Sequence, residues 1–148
     1  MKKENTAMFI GHSQCYNLNR TMLKEKIIFL IENGIDTFLS GGMGEFDRAA
    51  AHEVHRLKKQ YPHIKNKLVI AYLNAKIDDK EIYDEIVFPE GQEFCHYKAA
   101  IPKRNRYMVE SSTYAICHVT HSWGGAATTY RLAEKKGVRI IEITNINS

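Results

Sequence analysis

The chain has 148 residues, a length suited to one domain whose core closes without disulfides or metals. With 44% apolar and 26% charged residues, its make-up is that of an ordinary folded protein and excludes a wholly disordered chain. Its 21 lysines and arginines against 17 acidic residues leave +4, too mild an excess to imply nucleic-acid binding unless it is focused on one face.

In chain order, the first apolar run is Ala7 to Ile10, which ends at Gly11 and reads as a buried strand. It is too short for a signal-peptide core or a membrane span. Leu23, Ile27, Leu30 and Ile31 then line one helical face before Gly34, a natural stop. A second strand is expected over residues 36–39, followed by the loop Ser40-Gly41-Gly42-Met43-Gly44. Behind it, Phe46, Ala50, Val54, Leu57 and Tyr61 form a second helical face before Pro62. Residues 68–73 read as a third strand.

Residues 74–101 break this rhythm. Ile77 to Ile86 reads as one acidic helix, and an irregular aromatic stretch follows Pro89 and Gly91. A long excursion of this kind is expected to be a lid or an oligomer contact. Helix-strand alternation resumes with Lys103 to Ser111 after Pro102, a strand over 114–119, a helix over 126–136 closed by Gly137, and a last strand over 138–143. The pattern predicts a single α/β domain over residues 1–148, a Rossmann-like three-layer sandwich on a central, mostly parallel five-stranded sheet.

In such sheets ligands bind beyond the carboxyl ends of the strands. Three strand-to-helix connections open there: Gly11-His12-Ser13, Ser40 to Gly44, and Ser122-Trp123-Gly124-Gly125. Gly41, Gly42 and Gly44 suit a phosphate-cradling turn, with Asp47 in the first helical turn placed to cap N–H groups or to hold a ribose hydroxyl. Gly124 and Gly125 precede Thr128, whose hydroxyl adds a donor.

Arg104, Asn105 and Arg106 begin a helix, where positive charge is disfavoured unless an anion offsets it. A bound anionic ligand does so, as does an ion pair to the acidic segment Asp78 to Glu85. Trp123 and Tyr130 are either base-stacking rings or buried aromatics. The pairs His52/His55 and His118/His121 have ligand-like spacing, but no local carboxylate or cysteine completes either one, so no metal site is expected. Cys15, Cys95 and Cys117 are odd in number and far apart, which reads as reduced thiols in the cytoplasm. None of Ser13, Ser40 and Ser122 lies in a Gly-x-Ser-x-Gly elbow, and no nucleophile, base and orienting group can be read along the chain.

Gly11-His12, Ser40 through Asp47 with Ala49-Ala50 behind it, Arg104-Asn105-Arg106-Tyr107-Met108-Val109, and Gly124-Gly125 entering a helix together resemble the SLOG superfamily over about residues 7–143. That Rossmann-like group contains the YpsA-like, DprA/Smf DNA-processing and lonely-guy proteins, and the resemblance is nearest the YpsA-like branch. It implies a cytosolic binding or sensor domain for a nucleotide-like ligand, NAD- or ADP-ribose-derived ligands included, with no certain cofactor. The alternatives it implies are a nucleoside-monophosphate N-glycosidase of lonely-guy type and a single-stranded-DNA binder of DprA type.

Against the lonely-guy signature Pro-Gly-Gly-x-Gly-Thr-x-x-Glu, Arg104 matches the upstream Arg and Thr128 the Thr. Trp123 and Ala127 replace the Pro and the last Gly, and the catalytic Glu has no carboxylate counterpart. Glu45 and Asp47 are the nearest substitutes. The DprA reading lacks a series of aromatic and basic residues along a groove. The resemblance also implies a homodimer or dimer of dimers, through the helix carrying Tyr107 and Met108 and the adjoining Phe94 to Tyr97.

Overall fold

The computed structural model describes residues 3–145. Six strands form one sheet: β1 (Thr6–Gly11), β2 (Thr37–Ser40), β3 (Lys65–Val69), β4 (Glu85–Val87), β5 (Tyr114–His118) and β6 (Arg139–Glu142). Their order is β4-β3-β2-β1-β5-β6, and every neighbouring pair is parallel. An antiparallel bridge outside the strands joins Leu18 to Asn145.

Four helices cover the two faces: α1 (Arg20–Glu32), α2 (Glu45–Leu57), α3 (Ala100–Glu110) and α4 (Gly125–Lys135). A sheet covered on both sides needs strands that are apolar on both sides, and β1 shows why this chain complies. Ala7 and Phe9 enter the core shared with Leu23, Ile27 and Leu30 of α1 and Phe46, Ala50 and Val54 of α2. Met8 and Ile10 enter the opposite core with Met108 and Val109 of α3 and Ala133 of α4. The result is the expected three-layer α/β architecture.

Local signals set the helix ends. The Asn19 side chain accepts from Met22 N–H at 3.0 Å and starts α1, and Gly34 follows its end with φ +97°. Gly137, at φ +80°, closes α4, its N–H reaching Glu134 O at 3.1 Å. Pro102 falls within the first turn of α3, where its missing N–H is tolerated.

Two expectations are corrected. The sheet has six strands rather than five, and the acidic helix over 77–86 does not form. Asp79 adopts a left-handed φ of +54°, a single 3-10 turn covers Lys80–Ile82, and Glu85–Val87 becomes edge strand β4. Pairing of Leu68 with Ile86 and of Val69 with Val87 outweighs helical propensity in so short an acidic stretch. The third strand also starts earlier than expected and ends at Val69.

Two buried amides anchor the excursion. Asn66 donates to Ala51 O and Ile82 O, both at 3.0 Å, and Gln92 donates to Ala71 O at 3.2 Å and Ala100 O at 2.6 Å. Met108 was expected on an exposed contact face and is instead 3% exposed, because its position on α3 points into the second core. The exposed apolar side chains of this region are Leu73, Phe94 and Tyr97.

Gly11 ends β1 with the Phe46 ring against it: an added Cβ would stand 2.3 Å from ring carbons of that fully buried side chain. Gly11→Ala is therefore expected to destabilise the fold by about 1–3 kcal/mol through overpacking, read as a lowered urea midpoint with unchanged slope.

Candidate functional site

The chain builds outward from β1 to β4 on one side and returns to place β5 and β6 on the other, so the strand order switches at the β1–β5 pair. Crevices at the carboxyl ends of strands form at such points. Here a cleft of about 830 Å³ opens between the segment after β1, from Gly11 to Asn17, and the segment from His118 to Gly125, with α3 along its side. Gly11, His12, Ser13, Asp47, Arg104, Asn105, Gly124 and Gly125 all line it. Gly41 and Gly42 instead line a neighbouring cavity of about 220 Å³, which Arg104 also reaches. Ser40, Gly44, Arg106 and Thr128 line neither.

Arg104 is 3% exposed and clamps the second glycine loop from beneath. Its Nη1 donates to Gly41 O at 3.1 Å and Val69 O at 2.9 Å, and its Nε donates to Asn105 Oδ1 at 2.8 Å. Gly41 is glycine because an added Cβ would lie 2.8 Å from this guanidinium.

The carboxylate facing Arg104 is Asp47 rather than any residue of the 78–85 segment. Half-buried at the cleft floor, Asp47 accepts the Gly41 N–H at 3.2 Å and hydrogen bonds from the Gly42 and Met43 backbones as well. Burial pushes its carboxyl up to about 6, against the pull of Arg104 and of those backbone donors. The N–H groups expected to cradle phosphate at Gly41 and Gly42 therefore face the protein's own carboxylate. Arg106 is separate: it is exposed and pairs with Glu110 at 3.8 Å.

The third loop is more open. Gly124 gives α4 no side-chain cap, and the helix start at Gly125 and Ala126 lines the cleft beside Asn105 and Thr129. Asn105 Nδ2 donates to Thr129 Oγ1 at 3.2 Å and joins α3 to α4 across the cleft side. Thr128 bonds back to Gly124 O at 3.1 Å, and Arg131 braces the loop through Ser122 O at 3.1 Å.

Three rings stack along the opposite wall. His12 and His121 lie 3.6 Å apart at 15°, and His121 and Trp123 lie 3.8 Å apart at 21°. Trp123 is 67% exposed, which settles its orientation as outward, whereas the Tyr130 hydroxyl donates to Glu142 at 2.7 Å. His12 Nε2 accepts the Thr120 N–H at 2.9 Å, so a neutral ring carries its proton on Nδ1. Burial lowers the His12 pKa, and the neighbouring His121 and His118 lower it further.

His118 is 2% exposed, bonded through Nδ1 to Cys15 and through Nε2 to Asn145, with Phe46 stacked at 5.9 Å. His52 pairs with Asp79 at 2.9 Å. Among the described residues no group of three or more His, Cys, Asp or Glu side chains is placed to hold a metal ion. No described helix is long and apolar enough to cross a membrane. The three thiols are free.

Residues 2–139 match the model of the YspA SLOG family. The chain belongs to that family. This SLOG chain is also 32% identical over 146 residues to the uncharacterized SPbeta prophage-derived protein YoqJ of Bacillus subtilis (strain 168), covering 79% of this chain and 84% of that one. Its fold is similar to the X-ray structure of DNA processing protein A from Streptococcus pneumoniae, with a TM-score of 0.65 and 21% identity. That match covers 94% of this chain and 50% of the other, so the SLOG chain spans half the length of that neighbour.

Arg104→Met leaves the half-buried Asp47 without its cation and two carbonyls without their donor, so it is expected to cost about 2–4 kcal/mol. Equilibrium urea unfolding measures the loss, and adding Asp47→Asn should recover part of it. His12, with a pKa held below the ordinary imidazole value, contributes stability that is fully present above about pH 6.5. That stability is lost as pH falls through the lowered value, since protonation of Nε2 removes the acceptor for Thr120 N–H. An NMR titration should show His12 titrating below the ordinary imidazole value.

Proposed function

We propose that this SLOG chain is a binding or sensor domain for a nucleotide-like ligand, with NAD- and ADP-ribose-derived molecules within the class. The observation carrying this reading is one cleft holding two complementary features: an uncapped α4 N-terminus at Gly124-Gly125, and the His12–His121–Trp123 stack ending in an exposed indole face. Outward N–H groups at a helix start suit a phosphate, and a π-face suits a base. The volume of about 830 Å³ is ample for both groups at once. In this reading Arg104 supports the cleft mainly by holding Gly41 in place, and Asn105 and Thr129 meet the ligand between its two ends.

A homodimer or dimer of dimers belongs to the same proposal, supported by the exposed apolar side chains Phe94 and Tyr97 on the excursion and Leu73 just before it.

Trp123 is the only tryptophan, so its fluorescence reports on this wall directly. Titration with nucleoside monophosphates, NAD, ADP-ribose and cyclic nucleotides should quench it and give a matching calorimetric Kd. Trp123→Ala should weaken the tightest of these ligands about tenfold to a hundredfold, the size of one base–aromatic stack. Absence of binding below millimolar across the panel refutes the proposal. Free base released from a nucleoside monophosphate, seen by chromatography, replaces it with the N-glycosidase reading.

A further inference from the structure

Cys15, His118 and Asn145 come from three places that the sequence keeps far apart: the segment after β1, the last residue of β5, and the segment after β6. In the sheet β1, β5 and β6 are consecutive, and their carboxyl ends lie side by side. Cys15 Sγ is 3.4 Å from His118 Nδ1, and His118 Nε2 is 2.7 Å from Asn145 Oδ1. The amide oxygen only accepts, so Nε2 carries the ring proton and Nδ1 is the acceptor facing the thiol.

Every member of the array is fixed by something outside it. Phe46 stacks on the His118 ring, the Leu18–Asn145 bridge seats the amide, and the Cys15 N–H donates to Glu45 Oε2 at 3.2 Å. His118 and Asn145 line the large cleft, as do Gln14 and Tyr16 on either side of Cys15.

We propose that Cys15 is a nucleophile for acyl transfer, with His118 as its general base and acid and Asn145 as the residue positioning the imidazole. A thiol, an imidazole accepting from it and an acceptor orienting the imidazole are recognised by geometry and role, independently of fold or chain order. The substrate class is an ester or thioester whose acyl carbon enters the cleft.

Sγ attacks the carbonyl carbon while its proton passes to His118 Nδ1. The carbon–oxygen or carbon–sulfur bond to the leaving group then breaks, and the leaving group takes that proton. An acyl thioester remains on Cys15. Water attacks it in turn, giving a proton to His118, and the acid departs as the thiol takes that proton back.

Burial and the nearby Glu45 raise the Cys15 thiol above its ordinary value, while Arg20 opposes them. The resting thiol thus keeps its proton, which must move during attack. This inference stands apart from the nucleotide reading, since it uses His118 and Asn145 on the cleft lining and the half-buried Cys15 thiol bonded behind them.

The probe is p-nitrophenyl acetate, which carries no nucleotide. The intact chain should release about one nitrophenolate per molecule in a fast phase, with the acetyl group found by mass spectrometry on the peptide bearing Cys15. Cys95, half-buried and bonded to Gln92 O, is the internal reference.

His118→Asn should slow acetylation of Cys15 by about a hundredfold, the usual scale of general-base assistance. Asn145→Ala should slow it severalfold, and Asn145→Asp, which keeps an acceptor for Nε2–H, should restore it. Cys15→Ser should keep the circular-dichroism melt and lose the fast phase. Acetylation of Cys95 as fast as that of Cys15 overturns the proposal. So does an Asn145→Ala variant that reacts at the unaltered rate.

Discussion

A guanidinium taken out of water is tolerated only when its donors are met and its charge is faced by an anion. Arg104 meets both conditions by binding the end of β3, the start of the loop after β2 and, electrostatically, the first turn of α2. Four elements are thereby held in one register around a single side chain. The close approach of Gly41 and the inward turn of Asp47 are two consequences of that arrangement. The Ser40–Gly44 loop is stiffened from within, its N–H groups met by Asp47, whereas the loop entering α4 has no acidic residue in the first turn behind it.

This division gives the cleft two unlike walls. On the α3–α4 side, Asn105 and Thr129 bridge two helices with short polar groups that can exchange partners with a bound molecule. On the β1–β5 side, the stacked rings and the buried His118 form a surface of aromatic faces backed by fixed hydrogen bonds. A cleft with one polar wall and one aromatic wall orients an amphipathic ligand, since reversing the ligand would set its charged end against rings.

What could be read in the sequence depended on how local the cause was. Leu23, Ile27, Leu30 and Ile31 declare α1 by their spacing, and Gly34 and Gly137 declare helix ends by their left-handed backbone, so all four helices and the three-layer fold were legible. Strand β4 was not, because Glu85–Val87 is three residues long among acidic neighbours, and its pairing with Leu68 and Val69 is a tertiary effect. Among the candidate site residues, Arg104 and Asp47 were picked out as ligand contacts by charge and position. Burial, which only packing reveals, turned them toward one another.

The partners of His118 were hidden for a related reason. Its spacing to His121 suggests a metal-ligand pair, but its hydrogen bonds run to Cys15 and Asn145, which are 103 and 27 residues away. No periodic pattern encodes that kind of meeting. Only the sheet order does. The Asp47 carboxylate is a similar case: its position in the first turn of α2 announces a cap, while its choice of Gly41, rather than its own helix, follows from the glycine loop folding back over it.

The sheet order also bears on how the chain assembles as it is made. β1 precedes the other five strands of this sheet in the chain and is, with β2, one of its two central strands, yet the partner on its far side, β5, pairs it through contacts such as Gly11 with His118. Until residues 114–118 emerge, one edge of β1, with Ala7 to Ile10 alongside, has neither its neighbouring strand nor the cover of α3 and α4. Parallel pairings of this span are slow to close and leave sticky intermediates. The cleft, bounded by both halves of the sheet, is therefore among the last features to mature.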